Sequence, residues 1–245
     1  MTENKIAITE DGLKNLQKYM ELSPEAANMQ KELAVGNEIF QENLGEYFSD
    51  KPEPSPEAAK RFKEFKANLR VNSQEAALHQ EPKVAVVGCS DSRVTPHIIF
   101  SRLALNDTFS VLNAGNILSP VALESLNVPA SHSTTLILFL GHTNCGAMNA
   151  CAKERTSQQK NENMAIIVEE IAKSAPADVK TADELAQFNV AMDMYKFANS
   201  DNDGIKKALE SGVTKISGAI YNMNDFKVTF MDYITAASLL NKVRG

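Results

Sequence analysis

The chain has 245 residues, 43% hydrophobic and 23% charged, with 9 Pro and 11 Gly, a composition that excludes a disordered or collagen-like chain. Three Cys in this length exclude a disulfide scaffold and point to a reducing compartment, where thiols persist to bind metal or do chemistry. A formal net charge of −6 repels phosphate backbones and anionic membranes, and the longest apolar run, 136–140, is far too short to span a bilayer. The expectation is a cytoplasmic protein with no nucleic-acid or membrane partner, and no leader is evident in MTENKIAITEDG.

Residues 1–80 read as a helical, alanine-rich arm. Leu13, Leu16, Tyr19 and Met20, then Ile39, Phe40 and Leu44, recur at three- and four-residue spacings, the period of an apolar helix stripe. The pentapeptide SPEAA occurs at 23–27 and again at 55–59. Ser as N-cap, Pro at the first helical position and Glu in the first turn favour any helix start, so the pair reads as two helix starts rather than a structural repeat. The Pro-rich FSDKPEPSP connects them.

From residue 83 the pattern changes. KVAVVG is a short, continuous apolar run rich in β-branched residues, the signature of a strand covered on both faces, and 109–112 and 134–140 resemble it. Each is followed by a polar turn and a helix-like segment: VTPHIIFSRL, SPVALESL and CGAMNACAKE. Such alternation predicts βαβ units and a parallel sheet. Beyond residue 163, NMAIIVEEIAKS, TADELAQFNVAMDMYKFANS and GIKKALESG read as helices. The helix over 181–199 carries Leu185, Phe188, Val190, Met192 and Tyr195, apolar surface for the sheet or a second subunit. KISGAIYN and KVTFMDY read as strands joined through 223–226. The prediction is one α/β domain overall: a mostly parallel β-sheet flanked by helices (81–245), with a helical N-terminal arm (1–80) that packs on a partner subunit.

Cys89 follows the first buried strand in GCSDSR, and His142 and Cys145 follow the third in LGHTNCGA. Ligands of parallel α/β sheets sit at the carboxyl ends of the strands, so both clusters land at one edge. A buried Cys is most often a small hydrophobe and a His before a helix a cap, but two of three Cys and a His at equivalent strand ends, each beside a Gly, favour a metal site. Two thiolates and an imidazole suit Zn²⁺, and three protein ligands leave the fourth position that marks a catalytic site. In Cys-Ser-Asp-Ser-Arg, alternation puts Cys89, Asp91 and Arg93 on one side. A bidentate Arg93 keeps Asp91 ionised, able to accept a hydrogen bond from a water on the metal or to occupy the fourth position itself.

Cys-x-Asp-x-Arg at 89–93 with His-x-x-Cys at 142–145 resembles the β-class carbonic anhydrases. NAGN at 113–116, ALES near 122, GHTNCGAM at 141–148 and GAIYNMNDFKV at 218–228 resemble that family's segments in order, over roughly residues 35–233. The resemblance implies reversible hydration of CO₂ to bicarbonate and a proton, Zn²⁺ held by Cys89, His142 and Cys145, and Asp91 with Arg93 as the catalytic pair. It also implies Gln80 and Phe109 as substrate-pocket residues contributed by the neighbouring subunit, hence a homodimer or a multiple of dimers. Two departures bear on pocket shape: Leu112 stands where the family often has Arg, and Ser125 where it has an aromatic. Readings that keep the zinc site but change its use, to hydrolysis of CS₂ or COS or to a non-catalytic structural role, stay open on sequence.

Other signals read more plainly. His79, His97 and His132 are conceivable proton shuttles but fit surface or capping roles better. Residues 199–210, NSDNDGIKKALE, come near a calcium loop, yet Asn199 and Lys206 break the pattern and an N-cap turn explains it. Cys151 reads as a buried helix residue.

Overall fold

The computed structural model describes residues 6–47, 56, 60, 79–101, 103, 106–157 and 162–244. Five strands, β1 (Val84–Cys89), β2 (Thr108–Asn113), β3 (Leu136–His142), β4 (Lys215–Tyr221) and β5 (Val228–Met231), form one sheet in the order β2-β1-β3-β4-β5. The β1–β2, β1–β3 and β3–β4 pairs are parallel, and β5 returns antiparallel to β4. The helices are α1 (Glu10–Met20), α2 (Pro24–Tyr47), α3 (Pro96–Ile99), α4 (Pro120–Ser125), α5 (Asn127–Ser131), α6 (Gly146–Ser157), α7 (Ala165–Ser174), α8 (Ala182–Ala198), α9 (Asp203–Glu210) and α10 (Tyr233–Asn241). The expected α/β class and the two strands that flank the site are as the sequence predicts.

Alternation of side chains across the sheet divides the interior into two cores. Ala85, Val87, Ile137, Phe139 and Ile216 enter one core with α1, α6 and α8, while Val86, Leu138, Leu140, Ala219 and Tyr221 enter the other beneath α2. The central strands β1 and β3 are buried at every residue. The run at 109–112 belongs instead to an edge strand: β2 is only partly covered, and its Leu112 is 44% exposed.

The helical N-terminal region covers its own chain. Thr9 caps α1 by accepting from Gly12 N–H, and Leu13, Leu16 and Tyr19 are buried in the first core, where the Thr9 N–H donates to Tyr195 Oη of α8 at 3.0 Å. Ser23 caps α2 as its SPEAA motif predicts, its Oγ accepting from Ala26 N–H at 3.3 Å. Ala26, Leu33 and Phe40, seven residues apart, form the stripe that lies on the second core. Between them Asn37 is buried and fixes β5 by accepting from Val228 N–H at 2.8 Å and donating to Phe226 O at 3.0 Å. Apart from Pro56, the second SPEAA and the connector lie outside the described residues, as does the side chain of Leu44.

A capping box between Thr181 and Glu184 starts α8. This helix packs on β3 and β4 and is covered in turn by α1, α6 and α10, so it is buried on nearly all sides. Asn202 caps α9, accepting from Gly204 and Ile205 N–H, which is the role of the calcium-like segment. No helix among the described residues is long and apolar enough to cross a membrane.

Candidate metal centre

The register pairs Gly88 with Leu140, so Cys89, the last residue of β1, and His142, the last of β3, emerge side by side at the carboxyl edge. The chain then turns sharply. Asn144 takes φ 55°, its N–H donates to Asp183 Oδ1 at 2.9 Å, and the Thr143 N–H donates to Tyr221 O at 3.0 Å. That turn delivers Cys145 to the N-terminus of α6, where its carbonyl accepts from Asn149 N–H at 2.8 Å. His-x-x-Cys therefore aims both side chains at the point reached by Cys89.

The two sulfurs are 4.0 Å apart, and one ligating atom from each of Cys89, His142 and Cys145 lies within 4.8 Å of the others, all three residues being buried. Tetrahedral zinc with bonds of about 2.3 Å to sulfur requires a sulfur separation of about 3.8 Å, so the residues present fit the ion. His142 Nδ1 lies 2.9 Å from Thr143 O, which makes Nδ1 the protonated nitrogen and leaves the Nε2 lone pair facing the sulfurs. Nε2 is buried with no hydrogen-bond partner among the described residues, an orphan that a metal ion satisfies. Electrostatics prepare one thiolate: hydrogen bonding from the Cys145 thiol, with smaller help from the Gly115 N–H, draws Cys89 well below the ordinary thiol range against the opposing effect of burial. The same thiolate pushes Cys145 up, and a dication held there would supply the charge that keeps the second sulfur deprotonated.

Arg93, four residues beyond Cys89, grips Asp91 with a fork, Nε to Oδ1 at 2.9 Å and Nη2 to Oδ2 at 2.7 Å, and its backbone N–H adds a bond to Oδ1 at 3.0 Å. This guanidinium holds the Asp91 carboxyl down to about 2. Asp91 also feels His142, and Arg93 feels both sulfurs, so the pair belongs to the field of the cluster.

The remaining predicted residues lie elsewhere in the chain. Phe109 is opposite Ala85, four residues and about 13 Å along the strand from Cys89, and exposed Gln80 precedes β1. Phe109 therefore does not reach the cluster of its own chain. His79, His97 and His132 are exposed, and His132 Nδ1 lies 2.7 Å from Val128 O at the end of α5. Cys151 is fully buried in the first core.

Sequence reasoning missed the supports. The 113–118 loop delivers Gly115 N–H to Cys89 Sγ at 3.3 Å. Gly115 takes φ 80°, and a Cβ there would stand 3.0 Å from Ala147 Cβ, so this backbone needs glycine. Asn113 ties the loop by accepting from Ile117 N–H at 2.7 Å and donating to Ile117 O at 2.9 Å. Behind the loop stand Asn189 and Asp193, buried on α8. Their signal was visible: two polar residues four apart inside the apolar run AQFNVAMDMYKFA share a face that must be buried.

A carbonic anhydrase family model matches residues 84–228, which include all five residues of the cluster and the ion pair. The mitochondrial β carbonic anhydrase 6 of Arabidopsis thaliana is 26% identical over 232 residues, 85% of this chain and 77% of that protein. The solved structure of the β-carbonic anhydrase CcaA matches with a TM-score of 0.55 at 22% identity, covering 73% of this chain and 93% of that one. Two tetrameric β-carbonic anhydrases of Sordaria macrospora are represented by a match of TM-score 0.50 at 20% identity, covering 71% and 93%. A family match that spans most of the sheet, with sulfur and imidazole donors spaced for zinc at its carboxyl edge, settles the kinship: this chain belongs to the β-class carbonic anhydrases, zinc enzymes that interconvert CO₂ and bicarbonate.

Proposed function

We propose that Cys89, His142 and Cys145 are the zinc ligands of this carbonic anhydrase and that Asp91 and Arg93 are its catalytic pair. The convergence of two thiols and an orphaned imidazole nitrogen within 4.8 Å carries the reading. Zinc, when bound, supplies a Lewis acid that makes water acidic enough to be a nucleophile near neutral pH. Asp91 accepts a hydrogen bond from the attacking water and turns its lone pair toward the carbon of CO₂. Arg93 fixes the carboxylate plane through its two-pronged bond, so the acceptor is oriented before substrate arrives. The Thr143 carbonyl holds the His142 ring in its ligating tautomer.

Gln80 and Phe109 complete the pocket of the adjacent subunit, Phe109 as an apolar wall for a non-polar substrate, which makes the working unit a homodimer or a multiple of dimers. An exposed groove lined by Pro120, Val121, Glu124, Ser125, Asn127 and Val128 supports association, since Val121 is 76% exposed. The tetrameric Sordaria macrospora relatives support it too. Residues 81–245 form the catalytic core, and the arm of 1–80 meets the partner with faces it has not committed to its own sheet. Three free, buried cysteines support a cytoplasmic site of action.

Metal analysis and stopped-flow CO₂ hydration on the native chain and Cys89→Ser test the assignment. The variant is expected to lose its zinc and to hydrate CO₂ at least about 100-fold more slowly. Full zinc content with an unchanged rate would remove Cys89 from the ligand set.

A further inference from the structure

The loop after β2 meets the metal centre through a backbone donor, the Gly115 N–H on Cys89 Sγ. Its conformation does not support itself. Gly115 and Asn116 both take positive φ, 80° and 47°, and the buried Asn116 side chain has neither of its polar atoms hydrogen-bonded among the described residues. Asn113 secures the loop from within, and α8 secures it from outside. Asn189 Nδ2 donates to Gly115 O at 3.3 Å and to Asn116 O at 3.4 Å, and also to Asp193 Oδ2 at 3.0 Å. Asp193 Oδ2 accepts in addition from Leu118 N–H at 3.2 Å. Burying an amide and a carboxyl among the apolar side chains of a helix is unfavourable unless their polar atoms are hydrogen-bonded, and here they bond to the backbone of 115–118.

We propose that Asn189 and Asp193 are positioning residues of the zinc centre, which keep the Gly115 N–H aimed at Cys89 Sγ by gripping both ends of the loop. The inference rests on Cys89 being a zinc ligand. An N–H directed at a thiolate draws electron density from the sulfur and tempers the charge that two thiolates place on the metal. Without it Cys89 becomes the stronger donor, the metal the weaker Lewis acid, and hydration requires a higher pH.

The test uses the full chain with cobalt in place of zinc, read by its thiolate-to-cobalt charge-transfer absorption, alongside the pH profile of CO₂ hydration by the zinc form. Asp193→Ala and Asn189→Ala are expected to move the band to longer wavelength and the profile midpoint upward. At neutral pH kcat falls roughly 10-fold in each, with KM unchanged. Asp193→Asn, whose amide oxygen still accepts from Leu118 and Asn189, is expected to restore the wild-type band and profile. Arg155→Lys is the comparison for general loosening, because Arg155 donates to the carbonyls of Ala172, Ala175, Pro176 and Val179, none of them part of the loop. Should one alanine variant fail to fold, the other gives the same reading. Bands and profiles of the alanine variants that superimpose on wild type would overturn the proposal, as would an equal shift in Arg155→Lys. Absence of any thiolate band in cobalt-loaded wild type would instead overturn the ligand assignment, and this inference with it.

Discussion

At the scale of single residues, Asp193 carries a measurable signature. Burial pushes its carboxyl up to about 7, opposed by Lys196, whose Nζ lies 3.5 Å from Oδ1, and by the Leu118 and Asn189 donors on Oδ2. Its unfolded value is near 3.8, so between pH 4 and 7 the native state keeps a proton that the unfolded chain has released. The proton balance therefore makes stability fall as pH rises through this window. Asp193→Asn removes the titration. Its stability relative to wild type is expected to improve from pH 4 to pH 7 by roughly 2–4 kcal/mol, read by urea unfolding at each pH. A difference that stays flat across the window would show that the carboxyl is not raised. The loop it serves is costly in its own right, since the unsatisfied amide of Asn116 alone is worth about 1–3 kcal/mol.

At the scale of elements, the docking of α1 turns on one close approach. A Cβ at Gly12 would overlap the Tyr195 hydroxyl, the same group that accepts from Thr9 N–H and donates to Ala7 O. Gly12→Ala is expected to destabilise the fold by about 1–3 kcal/mol in urea unfolding, while zinc content holds; an unchanged midpoint would mean α1 is not tightly seated. Elements like β1 and β3 were legible in the sequence because a continuous β-branched or leucine run between turn residues permits little else. The edge character of β2 was not legible, since coverage depends on which strands flank it. Nor was the fate of α1 and α2: Leu13, Leu16, Leu33 and Phe40 show that a face is buried, not whose sheet it meets, and here it meets the chain's own. The periodicity of α8 likewise announces an apolar helix but not one enclosed on nearly all sides.

At the scale of the molecule, the strand order makes the site. Placing β1 beside β3 brings together donors 53 residues apart in sequence, and the βα turns that follow each strand aim them inward. The donors were legible because Cys and His at two strand ends have few other reasons to coincide. The backbone groups that steer them, Gly115 N–H and Thr143 O, carry no residue-type signal and appear only once the chain is folded. The proposed function puts zinc-dependent hydration at this one edge. The most direct measurement strips the metal with a chelator and follows CO₂ hydration by stopped flow as zinc is added back to the native chain. The rate is expected to rise from the uncatalysed value in proportion to bound zinc and to level off at one ion per chain. A rate that survives full removal of zinc, or one that stays at the uncatalysed value with one ion bound, would contradict the account.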